Sequence, residues 1–172
     1  MKIKIFIIIL AIYLAPLSSF SEDSGAQNLE IYEGKWIINC TSGSNEEEKK
    51  CALERSVYID KEMKRKLITI IIQTESLSTG VRFVLVSPLG TLISSGVKIG
   101  FDGKFVSEKA YSFNVCRQVG CITTMMVKKE TLESFKKADN LNLKYVGANG
   151  KKIEIDFGLD GFVKEFKKIS KI

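Results

Sequence analysis

The chain reads as an all-β protein: an antiparallel β-sandwich with one or two short helices, including a C-terminal helix. Three observations predict it. Short apolar runs recur with period two, as half-buried strands do. Turn signals such as Asp102-Gly103 and Gly147-Ala148-Asn149-Gly150 separate those runs. Long helical patterns do not alternate with the strands, as a parallel sheet would require.

The first segment is read as an address rather than as structure. Lys2 and Lys4 form a basic start, Ile5 to Ala15 is an apolar run, and Pro16 breaks it. Ser19 and Ser21 place small residues at the −3 and −1 positions of a cleavage site, so residues 1–21 are expected to be a cleaved export signal. The run falls short of the roughly 20 apolar residues that span a bilayer, and no cysteine near the cut suggests a lipid anchor. Removing 21 residues from 172 leaves 151, the usual size of one domain. Residues 22–29 are expected to be a mobile leader and 30–172 a single β-sandwich domain, without stable membrane insertion.

Along the domain, Tyr32, Gly34, Trp36, Ile38 and Cys40 share one parity, which predicts a strand with Trp36 and Cys40 on the same face. Glu46 to Lys50 interrupts as a polar loop. Leu67 to Ile72 is apolar on both faces, as a central strand should be. Val81 to Val86 forms the next strand and stops at Pro88-Leu89-Gly90. Val97 to Phe101 leads into the Asp102-Gly103 hairpin signal. Tyr111, Phe113 and Val115 alternate before Cys116. Leu141, Leu143 and Tyr145 pair through a Gly-rich turn with Ile153, Ile155 and Phe157.

Two segments break the strand pattern. Lys129 to Ala138 has strong helix formers with Leu132 and Phe135 at helical spacing. Near the C-terminus Asp160 is a candidate N-cap, followed by Phe162, Phe166 and Ile169 on one helical face and Lys164, Lys167, Lys168 and Lys171 on the other. Such a helix could lie on a membrane surface. A cap that packs its phenylalanines on the sheet is the simpler reading and the one adopted. Trp36 is assigned to the core near a bridge rather than to a ligand platform.

Composition removes whole classes of chemistry. The chain has no histidine, so Ser-His-Asp and Cys-His catalysis and His-containing metal sites are excluded. Neither a nucleophile elbow nor a phosphate-binding Gly-rich loop occurs. The 26 basic residues exceed the 20 acidic by six, but the lysines are scattered, which reads as a solubilising surface before a polyanion-binding one. No cofactor and no nucleic-acid partner is expected.

Four cysteines remain: Cys40, Cys51, Cys116 and Cys121. In an exported chain an even number points to disulfides, and four allow three pairings. The sequence-local pairing, Cys40–Cys51 and Cys116–Cys121, closes loops of 12 and six residues. Each bridge would contribute roughly 2–3 kcal/mol on the chain-entropy formula. Gly120 stands where a tight or left-handed turn is needed. Zinc competes poorly, because the C-x10-C and C-x4-C spacings do not fit its usual sites and an oxidising compartment disfavours thiolates. A periplasmic thiol-redox role for Cys116 and Cys121 is the alternative, with Arg117 placed to lower a thiol pKa.

Four stretches together resemble the invasion-associated locus B family of exported bacterial proteins. They are Trp36-Ile37-Ile38-Asn39-Cys40 with Cys51 following; Pro88-Leu89-Gly90 through Gly96-Val97-Lys98-Ile99 to Asp102-Gly103; Cys116-Arg117-Gln118-Val119-Gly120-Cys121; and Leu159-Asp160-Gly161-Phe162 opening a terminal helix. The resemblance covers about residues 32–169 and implies an immunoglobulin-like β-sandwich in the periplasm or cell envelope of an alphaproteobacterium. It carries over no catalytic residue. The function it implies is a non-enzymatic module that binds a protein or cell-surface component, with host invasion as a family label and the oligomeric state left open.

Overall fold

The computed structural model describes residues 30–41, 50–76 and 80–170. The expected export signal and leader, and most of the 46–50 polar loop, lie outside the described residues. Among these described residues, eleven strands fall into two antiparallel sheets. The larger sheet holds β1 (Tyr32–Glu33), β2 (Ile37–Thr41), β3 (Lys50–Tyr58), β4 (Lys66–Ser76), β5 (Gly80–Ser87), β8 (Val115–Arg117) and β9 (Gly120–Val127). Its order is β1-β3-β4-β5-β9-β8, with β2 also paired to β3. The smaller sheet runs β11 (Lys152–Gly158), β10 (Asn140–Val146), β6 (Val97–Phe101), β7 (Lys104–Phe105).

The two sheets enclose one apolar core. Leu53, Ile70, Ile72, Phe83 and Leu85 face it from the larger sheet, and Ile99, Leu141, Leu143, Ile155 and Phe157 from the smaller. Strand β4 lies mid-sheet and is buried on both sides over most of Leu67 to Ile72, as its two-faced apolar sequence requires. The outer face of the smaller sheet alternates to polar residues, including an Asn142–Asp156 hydrogen bond and a Lys144–Glu154 ion pair.

Helix α1 (Lys129–Lys137) joins β9 to β10 and plugs one end of the core with Phe135. That ring sits 5.4 Å from Phe83 of one sheet and 4.6 Å from Phe101 of the other. Helix α2 (Phe162–Ile169) follows β11 and buries Phe162, Phe166 and Ile169 at the same end. Its apolar face is therefore satisfied by the protein, as the cap reading expects. No helix among the described residues is long and apolar enough to cross a membrane.

Three local expectations need correction. The strand expected from Tyr32 to Cys40 is interrupted by Gly34-Lys35-Trp36. Tyr32 pairs with Tyr58 but Ile37 pairs with Glu54, so five steps on this side match four on β3. This bulge moves Tyr32 to the opposite face from Ile38 and Cys40. Asp160 does not cap α2: the cap is Gly161 at φ +76°, and the Asp160 carboxylate turns to Arg55. Finally, Tyr111 and Phe113 do not extend the strand that begins at Val115; Tyr111 makes only an isolated bridge to Val97.

Candidate functional site at the loop end

Register places the two cysteine pairs at opposite ends of the larger sheet. Cys40 is directly opposite Cys51, and Cys116 directly opposite Cys121. Both pairs are bonded, with S–S distances of 2.06 and 2.05 Å. In each pair one residue is buried, Cys51 or Cys121, while Cys40 is exposed and Cys116 half-buried. The four cysteines thus do not converge on one centre. Among the described residues no group of His, Cys, Asp or Glu is arranged to hold a metal ion.

The end that carries Cys116–Cys121 is built as a rigid platform with apolar side chains turned outward. Gln118 and Val119 make the turn between β8 and β9, closed by pairing of Arg117 with Gly120. Gly120 has φ +133°, and a Cβ there would come within 2.2 Å of the Ser87 carbonyl. Both facts demand glycine, and they bring the turn against the end of β5. Ser87 pairs with Cys121, so Pro88-Leu89 and Val119-Gly120 leave the sheet side by side.

The Pro88 to Ser95 segment is then fastened to both sheets. The buried Ser87 hydroxyl donates to the Cys121 carbonyl at 3.2 Å, and the Thr91 hydroxyl donates to the Pro88 carbonyl at 2.9 Å. Leu92 N–H donates to the Val146 carbonyl at 2.8 Å, and Ala148 N–H to the Gly90 carbonyl at 2.6 Å. Those last two bonds tie the segment to the β10–β11 turn. With its backbone held in this way, Leu89 and Ile93 are 60% and 55% exposed, and Val119 on the neighbouring turn is 74% exposed. Leu92 and Val115 are also open to solvent.

The opposite edge of the larger sheet holds a buried cation that sequence reasoning missed. Arg55 lies on β3 between Leu53 and Val57 on the core-facing side and is only 5% exposed. Its Nε donates to the Gly34 carbonyl at 2.8 Å and its Nη1 to the Gly158 carbonyl at 2.5 Å. Its Nη2 donates to Glu33 at 2.7 Å, and both Nη atoms lie 3.3 Å from Asp160 Oδ1. Glu33 in turn accepts the Gly158 N–H at 2.9 Å. The guanidinium also stands 5.5 Å from the Trp36 ring and 5.9 Å from Phe157.

Arg55 therefore interlocks the bulge of one sheet, the last residue of the other and the start of α2. Trp36 belongs to this cluster and not to a disulfide. Its ring packs on Phe162 at 5.4 Å and its indole N–H donates to the Asp160 carbonyl at 3.0 Å. The available signal was parity: in Cys51-Ala52-Leu53-Glu54-Arg55-Ser56-Val57, arginine occupies a position that alternation assigns to the core.

Two comparisons with known proteins bear on this geometry. A family model described as "Invasion associated locus B (IalB) protein" matches residues 36–170. The chain belongs to the invasion-associated locus B family. Among solved structures, the crystal structure of invasion associated protein B from Bartonella henselae superposes with a TM-score of 0.67 at 21% identity. The match covers 80% of this chain and 92% of that one, which establishes a shared fold. No curated protein matches the chain. Both the loop platform and Arg55 lie inside the family segment, although Glu33 precedes it.

Proposed function

We propose that this IalB-family protein is exported to the periplasm or cell envelope, and that it is a non-enzymatic module binding a protein or cell-surface component through its loop end. One observation carries the reading: Leu89 and Ile93 are held outward by a segment whose backbone is bonded to both sheets, and Val119 by the tight β8–β9 turn beside it. Exposing apolar side chains costs solvation, and holding them rigidly removes the ordering cost that a partner would otherwise meet. Recognition loops on a stiff sandwich are a common arrangement for such modules. The paired cysteines and the apolar run at residues 5–15 support export.

Site-specific photo-crosslinking in the native envelope tests the proposal. A crosslinker at position 89, 93 or 119 should yield one shared adduct, and one at Asp156, on the outer face of the smaller sheet, should not. The combined Leu89→Ser, Ile93→Ser, Val119→Ser variant should lose that adduct while melting normally. Equal labelling from all positions would remove the loop end as the site. The thiol-redox alternative has its own readout: catalytic reduction of Cys116–Cys121 by a dithiol, faster than a small-molecule thiol control, would replace the binding reading.

A further inference from the structure

Helices α1 and α2 lie together at the end of the sandwich opposite the loop site. The rings of Phe135 and Phe162 are 5.6 Å apart, and Lys136 Nζ lies 6.0 Å from the Phe166 ring. Strand β9 runs from the loop end at Gly120 to the helix end at Val127, about 24 Å at the usual rise per residue. The apolar faces of both helices are consumed by the core. What they turn outward is mostly lysine, with Glu130 on α1 and Val163 on α2.

Segments 128–137 and 161–170 contain seven lysines, three glutamates and no arginine. Two of the glutamates are engaged locally: Glu133 by Lys136 at 2.8 Å and Glu165 by Lys168 at 2.6 Å. The Lys136 contact holds the Glu133 carboxyl below its ordinary range. Lys128, Lys129, Lys137, Lys164 and Lys167 are exposed, and none forms an ion pair among the described residues. Nearby carboxylates offset part of this charge: Glu130, Asp102 and Asp139 are exposed beside α1, while Asp160 is shared with the buried Arg55.

We infer that this helical end docks on an anionic phospholipid bilayer through its lysines. The array is spread over two helices, which suits a flat field of mobile charges better than one bound anion. Lysine ammonium groups act as point charges, whereas bidentate recognition of a particular phosphate favours arginine. No aromatic side chain of either helix is free to stack on a base, since Phe135, Phe162 and Phe166 are buried, which disfavours single-stranded nucleic acid. For the same reason docking is electrostatic, without insertion of side chains into the bilayer. It leaves the loop end facing away from the membrane, and it stands or falls independently of what that end binds.

The test uses the exported protein as secreted, with phosphatidylcholine vesicles made with and without phosphatidylglycerol. Binding should require phosphatidylglycerol and fade with added salt. Because a lysine near an anionic surface contributes about 1 kcal/mol, the variant Lys129→Gln, Lys137→Gln, Lys164→Gln, Lys167→Gln should bind roughly 100-fold or more weakly. Lys164→Gln with Lys167→Gln alone should lose about 10-fold or more, which guards against misfolding of the larger variant. Lysines at the loop end provide the control: Lys61→Gln, Lys109→Gln, Lys151→Gln, Lys152→Gln removes the same charge and should bind nearly as wild type. Equal losses in both quadruple variants would overturn the inference, as would equal binding to pure phosphatidylcholine. So would preferential retention of the helix lysines on a soluble polyanion over vesicles.

Discussion

At the loop end, Cys116–Cys121 spans strands already joined by the two-residue turn Gln118-Val119. At the helix end, Cys40–Cys51 spans strands whose connection is residues 42–49, and Arg55, four residues on along β3, fastens that strand to the second sheet and α2. The loop end is secured mainly by backbone: a tight turn, a glycine that admits no Cβ, and carbonyl–amide bonds to both sheets. The helix end is secured by side chains, with a buried cation whose partners come from distant parts of the chain. Backbone fastening leaves side chains free, and here the freed ones are Leu89, Ile93 and Val119. An exposed apolar surface and a structural clasp thus make opposite demands on the same sandwich.

The sharpest way to break the contrast is at the clasp. Arg55→Ala removes the donors to Gly34 and Gly158 and leaves Glu33 half-buried beside them. Breaking a buried ion pair from one side costs about 3–5 kcal/mol, so urea unfolding should show a loss of that order. Arg55→Lys should rescue little of it, because one ammonium cannot reproduce a fork that serves several acceptors. A loss below about 1 kcal/mol would mean that the cluster is incidental.

The bridges sharpen the contrast at a smaller scale. On chain entropy alone, replacing Cys40 and Cys51 by serine should cost about 3 kcal/mol, and replacing Cys116 and Cys121 about 2. The second figure is an upper bound, since the turn and Gly120 close that hairpin without the sulfurs. Thermal melts of the two double variants should therefore rank the helix-end bridge first. The reverse order would show that the loop platform depends on its disulfide.

Much of this architecture is legible in period-two alternation. The hairpins at Asp102-Gly103 and Gly147 to Gly150 follow from turn chemistry, and β4 from its two-faced apolar run. The cysteine register could not be read from spacing, because it depends on which strands pair. The bulge at Gly34 to Trp36 escaped for a similar reason: it is set by Arg55 and by the close approach of Gly34 to the Ser56 carbonyl, both tertiary facts. Asp160 had the local chemistry of a helix cap, but a cation 105 positions away competed for its carboxylate and Gly161 took the cap. The apolar loop was visible as Pro88-Leu89-Gly90, yet only packing shows which side chains it turns outward.

The smallest expected effect lies between the ends, in the core. Tyr145 of β10 sits between Val97 and Ile153, is 2% exposed, and its hydroxyl finds no hydrogen-bond partner among the described residues. Thr123, on the core face of the larger sheet, carries a second unpartnered hydroxyl. A buried hydroxyl without a partner forfeits its hydration, so Tyr145→Phe should be neutral or stabilising by about 1 kcal/mol near pH 7. Burial also raises the Tyr145 phenol above its ordinary pKa of 10.0. The unfolded chain then ionises first as pH climbs past that value, and wild type loses stability where the phenylalanine variant has no such group to titrate. The advantage of Tyr145→Phe should accordingly widen above pH 10, by up to about 1.4 kcal/mol per pH unit, until the folded phenol ionises too. Paired urea melts at neutral and alkaline pH measure it, and lysine titration, common to both proteins, cancels in the difference. A variant markedly less stable than wild type at pH 7 would mean that the hydroxyl is satisfied after all.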